Sequence, residues 1–158
     1  MDNFTVKESP GKGRGLFSSK EFHANEILIK FQGTKLLKQD IPDFAGPIAA
    51  CLLQIESDLY LDLQGEPSYF INHSCNPNCY IKVSTGHVFL ISYIPIRIGD
   101  ELTFDYSTTS SESHDTWSMP CKCSIFGCRK VISGFGTVPP GQQNHMIVNG
   151  MIPKYVLG

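Results

Sequence analysis

No apolar run in the sequence approaches the roughly 18–20 residues that a membrane-spanning helix needs, so no membrane partner is expected. An excess of positive charge is missing as well. Lys and Arg number 13 against 15 Asp and Glu, giving a net charge of -2 and a pI near 6.2, and this withholds the electrostatic footprint of a direct nucleic-acid binder. The opening residues, MDNFTVKESPGKG, carry no apolar signal-peptide core. The expectation is an intracellular chain, cytoplasmic or nuclear, and delivery into a host cell would leave the same trace. Internal repeats and long low-complexity tracts are also lacking. With 41% of its 158 residues hydrophobic, the chain suits one compact core.

Cysteine is comparatively plentiful, with six residues. In an intracellular setting these read as metal ligands, reactive groups or core residues before disulfides. CKCSIFGC sets Cys121, Cys123 and Cys128 in a C-x-C-x4-C pattern, which offers three thiolates from one tight loop. Structural zinc takes four ligands in a tetrahedron, so one must come from elsewhere. Cys75, inside NHSCNPN, is a candidate, and Cys79, four residues on, is its rival. Cys51 and Cys79 otherwise read as core residues.

Period-2 alternation outnumbers helical stripes, so the fold class is mostly β. EILIKF (Glu26–Phe31) and DLYLDL (Asp58–Leu63) read as strands, and CYIKV with HVFLISYI around STG reads as a hairpin. DFAGPIAACLLQI (Asp43–Ile55) has the content of a short helix, and Pro139-Pro140 opens another that ends near Gly150. The polar stretch from Ser107 to Thr116 reads as a mobile surface connection.

Two further clusters carry chemistry. GKGRGLF (Gly11–Phe17) alternates glycines, which let a backbone approach a ligand closely, yet it matches neither phosphate-binding glycine motif. GDELTFDY (Gly99–Tyr106) reads as a turn and a short strand ending on a tyrosine. His73 beside Cys75 raises a Cys-His hydrolase as an alternative, but no oxyanion-hole or nucleophile-elbow motif accompanies them.

Taken in order, GKGRGLF, FINHSCNPN, GDELTFDY and CKCSIFGC resemble the SET-domain family of protein-lysine methyltransferases, over about Thr5 to Phe135. The resemblance implies a SET fold: several small curved β-sheets with a pseudoknot-like crossing, short helices and a post-SET zinc loop. It divides the chain into a SET domain at 1–106, a linker at 107–120, a post-SET zinc segment at 121–135 and a tail at 136–158. It implies S-adenosylmethionine as cofactor, structural zinc on Cys75, Cys121, Cys123 and Cys128, and a protein substrate presenting a lysine, a histone tail among the candidates. Asn72 and His73, with Lys12, Gly13, Arg14, Tyr69 and Phe70, are the implied cofactor contacts. Tyr69 stands where many members carry arginine, so ring stacking is expected there in place of a guanidinium.

Tyr106 is the implied catalytic residue, orienting the amine, and Phe104 is the implied channel wall. The chemistry needs a neutral lysine, and from a pKa near 10.4 deprotonation at pH 7 costs roughly 4–5 kcal/mol. A narrow aromatic channel lowers that cost by desolvation. A catalytically silent SET module that binds a protein is the alternative, against which Asn72, His73 and Tyr106 are all present. Trp117 and Phe126 flank the zinc segment as candidate covers of the cavity, and His87, His114 and His145 read as solvated.

Overall fold

The computed structural model describes residues 3–42, 51–111 and 117–158. Strands β1 (Phe4–Ser9) and β2 (Gly13–Ser18) form an antiparallel hairpin closed by a backbone bond from Lys12 N to Ser9 O. Strand β3 (Ile27–Lys30) joins β8 (Cys79–Ser84) and β9 (His87–Ser92) in a sheet of order β3-β9-β8. The β8–β9 turn is Thr85-Gly86, with φ of 48° and 73°, the left-handed pair that matches the twist of a two-residue hairpin. A second sheet has the order β4-β6-β5, from β4 (Thr34–Leu37), β5 (Leu52–Glu56) and β6 (Leu59–Asp62). Two-residue strands β7 (Asn72–His73) and β10 (Thr103–Phe104) pair in parallel. Last, β11 (Ser118–Pro120) pairs antiparallel with β12 (Val131–Ser133).

The mostly β class and the small sheets agree with the sequence. The alternating residues of β8 and β9 send Ile81, Val88 and Leu90 inward, where they meet Leu16, Ile71 and Leu102 in the main core. Leu90 and Leu102 have no exposed surface, and burying such a side chain contributes roughly 1.5–3 kcal/mol. A second core forms behind the tail, where Phe135, Val138, Met146, Met151 and Ile152 pack with Tyr80 and Tyr93.

Helix α1 (Pro140–Val148) begins on a proline, whose missing N–H costs nothing in the first turn. It ends at Gly150, φ 65°, with Met151 N bonded to Met146 O and Gly150 N to Ile147 O, a Schellman closure. A short α2 (Lys154–Leu157) follows. No helix among the described residues is long and apolar enough to cross a membrane.

Two expectations change. Of the helix expected at Asp43–Ile55, residues 43–50 lie outside the described residues and Leu52–Ile55 belong to β5. A short apolar run satisfies either period, and pairing with β6 decides it. The expected surface connection from Ser107 is instead buried at Ser107, Thr108 and Thr109, within the 3-10 turn Tyr106–Thr109. Their hydroxyls make this tolerable: Thr108 Oγ1 donates to Asp105 O and Thr109 Oγ1 to Tyr106 O. Residues 112–116 of that connection, His114 included, lie outside the described residues.

Candidate active site and metal centre

The parallel pair β7–β10 sets Asn72 opposite Thr103 and His73 opposite Phe104. Successive strand residues face opposite ways, so the side chains of the two neighbours Asn72 and His73, both expected at the cofactor, have different surroundings. Asn72 lines a cavity, whereas the His73 ring is buried among thiols. Asn78 fastens the crossing, donating from Nδ2 to Glu101 O at 2.8 Å and accepting from Thr103 N at 2.9 Å.

The cavity holds about 410 Å³, within the range of small-molecule sites. Its polar end presents Lys12, Arg14 and Asn72, and Gly13 stands between the first two with φ 85°. The Arg14 guanidinium lies over the Phe70 ring, 4.5 Å from its centroid. Glu101 organises this end from behind, where its carboxylate accepts from Lys12 Nζ, Ser9 Oγ and Asn72 Nδ2. Burial alone would raise the Glu101 pKa, but these donors outweigh it and hold the carboxyl below the usual range. Gly15 leaves room for this carboxylate, since a Cβ there would stand 2.5 Å from Glu101 Oε1 and force it to shift.

The other end of the cavity is largely apolar, with Leu53, Leu63, Ile71 and Phe104 on its walls. Tyr106 stands there with its ring 4.9 Å from that of Phe104, and its hydroxyl donates to Ile71 O at 2.7 Å. Burial above all, with Tyr69 and Glu101 adding to it, pushes the Tyr106 hydroxyl well above the ordinary tyrosine range. It is a fixed donor. Tyr69 is on the wall and half exposed, edge-on to Phe70. Cys51, expected in the core, is instead half-buried on the cavity wall, and its proximity, with burial, raises the Tyr69 pKa. Trp117 and Met119 close the outer side from β11 and the residue before it.

Beneath the crossing, donor atoms of His73, Cys75, Cys121 and Cys123 lie within 4.8 Å of one another. The Cys75 and Cys121 sulfurs are 3.7 Å apart, and two ligands at ~2.3 Å from a tetrahedral centre would stand about 3.8 Å apart. The set fits a thiophilic ion. Cys128 lies in side-chain contact with Cys121 and Cys123. His73 Nδ1 accepts from Tyr106 N at 3.2 Å, which leaves the ring proton on Nε2, facing Cys75 Sγ at 3.3 Å. A nitrogen that keeps its proton cannot ligate a metal, so in this tautomer the thiols are the groups of the cluster that could hold one. Burial, against the pull of Asp105 and helped by Arg129 and Lys12, lowers the His73 pKa to about 4 and keeps the ring neutral.

Arg129, next to the last cysteine, anchors the loop. Its guanidinium grips the fully buried Asp105 carboxylate with two bonds, reaches Ser107 Oγ, and its backbone N–H points at Cys75 Sγ. Cys79, the rival ligand, is fully buried and donates to Asn78 Oδ1, outside the thiol group. Phe126 projects wholly into solvent and covers nothing, whereas Trp117 does line the cavity. His87 is exposed, and His145, also exposed, bonds the Tyr93 hydroxyl. Sequence reasoning passed over Glu101, Asp105, Asn78 and Arg129. The first three lay within quoted motifs, but nothing in a linear string pairs an arginine with a distant buried carboxylate.

A cavity lined by a strand-crossing asparagine and a buried tyrosine, above a thiol cluster on small sheets, is the layout of a SET-type domain. The SET domain model matches residues 13–107, and the chain belongs to the SET-domain family. It is 34% identical over 133 residues to the histone-lysine N-methyltransferase trithorax of Drosophila virilis, covering 77% of this chain and 3% of the relative. It is 31% identical over 131 residues to the histone-lysine N-methyltransferase SETD1 of Drosophila melanogaster, covering 75% of this chain and 8% of that one. With the H3 lysine-4 specific histone-lysine N-methyltransferase of Mycosarcoma maydis it shares 30% over 138 residues, 79% of this chain and 9% of the relative. The chain thus spans less than a tenth of the length of these curated relatives. Its fold is similar to KRYPTONITE, solved in complex with mCHG DNA and SAH, with TM-score 0.67 and 24% identity over 83% of this chain and 29% of that one.

Proposed function

We propose that the chain transfers a methyl group from S-adenosylmethionine to a lysine side chain of a protein, with a histone tail as one candidate substrate. The observation that carries this is the two-ended cavity: charged and amide groups at one end, Phe104 and Tyr106 at the other. Lys12, Arg14, Asn72, Tyr69 and Phe70 would hold the cofactor, and Gly13 shapes the loop between the first two. When bound, S-adenosylmethionine supplies an electrophilic methyl group on a sulfonium.

The chain's own residues do the rest. Ile71, Leu53 and Phe104 desolvate an entering amine and so favour its neutral form. Tyr106, protonated and held by Ile71 O, orients that amine and presents a fixed dipole where charge changes, acting as a positioning and electrostatic group. His73 holds the Tyr106 backbone N–H from the thiol side, so the metal loop and the catalytic turn share one support. Zinc on Cys75, Cys121, Cys123 and Cys128 is structural in this reading, since four thiolates leave no open position for water. The reaction belongs inside the cell, in cytoplasm or nucleus, where lysine-bearing tails and reduced thiols coexist.

The test is incubation of the protein with isotope-labelled S-adenosylmethionine and a histone mixture or whole proteome, followed by mass spectrometry. Labelled methyl on lysine is the expected result. Cofactor binding without label on any protein would overturn transfer in favour of a silent binding module.

A further inference from the structure

Tyr155, in α2, reaches back across the molecule to the cavity. Its hydroxyl lies 2.6 Å from Gln54 O and 2.9 Å from Thr109 O, so one proton is shared between two carbonyls. The two acceptors belong to different parts of the wall. Gln54 is in β5, an edge strand of its sheet, and Thr109 closes the turn that Tyr106 begins. Both residues line the cavity. The tail arrives there firmly anchored, because Met151, Ile152 and Pro153 are buried just ahead of it.

The Gln54 side chain repeats the join. Its Nε2 donates to Ser111 Oγ at 2.8 Å and its Oε1 accepts from Ser111 N at 3.1 Å. β5 needs such ties: among the described residues it pairs only with β6, and that register shifts between Gln54 and Glu56. An edge strand with an irregular ladder is the part of a sheet most readily displaced. The tail and the Gln54 amide both meet it at that irregularity.

We infer that Tyr155 is a positioning residue that fixes the separation of β5 and the Tyr106 turn, and thereby the width of the apolar, lysine-accepting end of the cavity. The inference rests on the methyl-transfer reading for its catalytic consequence, though not for the strap itself. The Tyr155 hydroxyl bonds Gln54 O and Thr109 O and not the Lys12, Arg14 or Asn72 side chains, so the effect of losing it falls on the protein substrate and spares the cofactor.

Tyr155→Phe keeps the ring and its packing and removes only the shared proton. Three measurements decide the matter: amide hydrogen exchange, calorimetric S-adenosylmethionine affinity, and steady-state kinetics on a lysine peptide. The expected result is faster exchange confined to residues 52–56 and 106–111, cofactor affinity within about twofold, and a roughly tenfold lower kcat/KM for peptide. Unchanged exchange in both segments, or loss of cofactor affinity in step with kcat/KM, would overturn it. If the wild type transfers no methyl group, the functional reading fails, and the exchange measurement still decides whether the strap exists.

Discussion

The Arg129 guanidinium and the Asp105 carboxylate meet in a two-bond pair, Nη1 to Oδ2 at 2.6 Å and Nη2 to Oδ1 at 2.7 Å, with both side chains almost wholly removed from water. Asp105 directly precedes Tyr106, and Arg129 directly follows Cys128, so the pair locks the cysteine loop to the Tyr106 turn. Removing one member of such a pair strands the other charge in a dry site, at a cost of roughly 3–5 kcal/mol. Arg129→Met should therefore lower the urea midpoint substantially. A midpoint within experimental error of wild type would mean that the carboxylate finds water on its own.

Zinc content separates the thiols from the imidazole. The purified protein is expected to carry about one zinc, Cys121→Ser and Cys128→Ser to lose most of it, and His73→Gln to keep it. Mass-spectrometric metal analysis of the three variants is sufficient. Zinc loss in His73→Gln alone would put the ring among the ligands and require the other tautomer.

Tyr106→Phe removes a hydroxyl that donates to Ile71 O and leaves the ring against Phe104. Turnover should fall by one to three orders of magnitude, about 1.4–4 kcal/mol in the barrier, while cofactor affinity changes little. Rapid-quench and binding measurements on the same preparation separate these effects. Turnover equal to wild type would pass the role to another channel residue.

Phe104 is buried on the cavity wall and has no hydroxyl to hold a water beside the amine. Room for further methyl groups follows, so the wild type is expected to build di- or trimethyllysine and Phe104→Tyr to shift the product toward monomethyllysine. A mass-spectrometric time course at saturating cofactor reads both. A wild type that stops at one methyl contradicts this placement of the wall.

Acid should loosen the polar end through Glu101. The Glu101 carboxyl is depressed in the folded state by Lys12, Asn72 and Ser9, so its stabilisation is fully present above the ordinary carboxylate value and is lost as pH falls through the lower, folded one. The Glu101 share of stability, read as the difference in urea midpoint from a variant without this carboxyl, should drop as pH falls below about 4.3. Glu101→Gln, which has no carboxyl to titrate, should start lower at neutral pH and decline less. Parallel curves for the two proteins would remove Glu101 from the acid response.

Much of this architecture is legible along the chain wherever local chemistry decides it. Thr85-Gly86 dictates the β8–β9 turn, and Gly150 the end of α1. The thiols of the C-x-C-x4-C loop could hardly avoid one another. The chain is mute where partners are distant. Leu52–Ile55 became a strand because β6 was there to pair with, and Ser107–Thr109 could be buried because nearby carbonyls and Arg129 took their hydroxyls. Asn72 and His73 are adjacent in sequence, yet one side chain lines the cavity and the other lies among thiols, a division that only the strand pleat makes visible.

The cavity is assembled from Lys12 and Arg14, from β5, from the β7–β10 crossing and from Met119, which are far apart in the chain. No fragment contains the site, and no wall can depart without surrendering contacts to whatever fills it. Occupancy is thus coupled to global unfolding, and a ligand at a hundred times its Kd adds about 2.7 kcal/mol to the stability of the whole molecule. The melting temperature becomes a reporter of occupancy that works before any substrate is known.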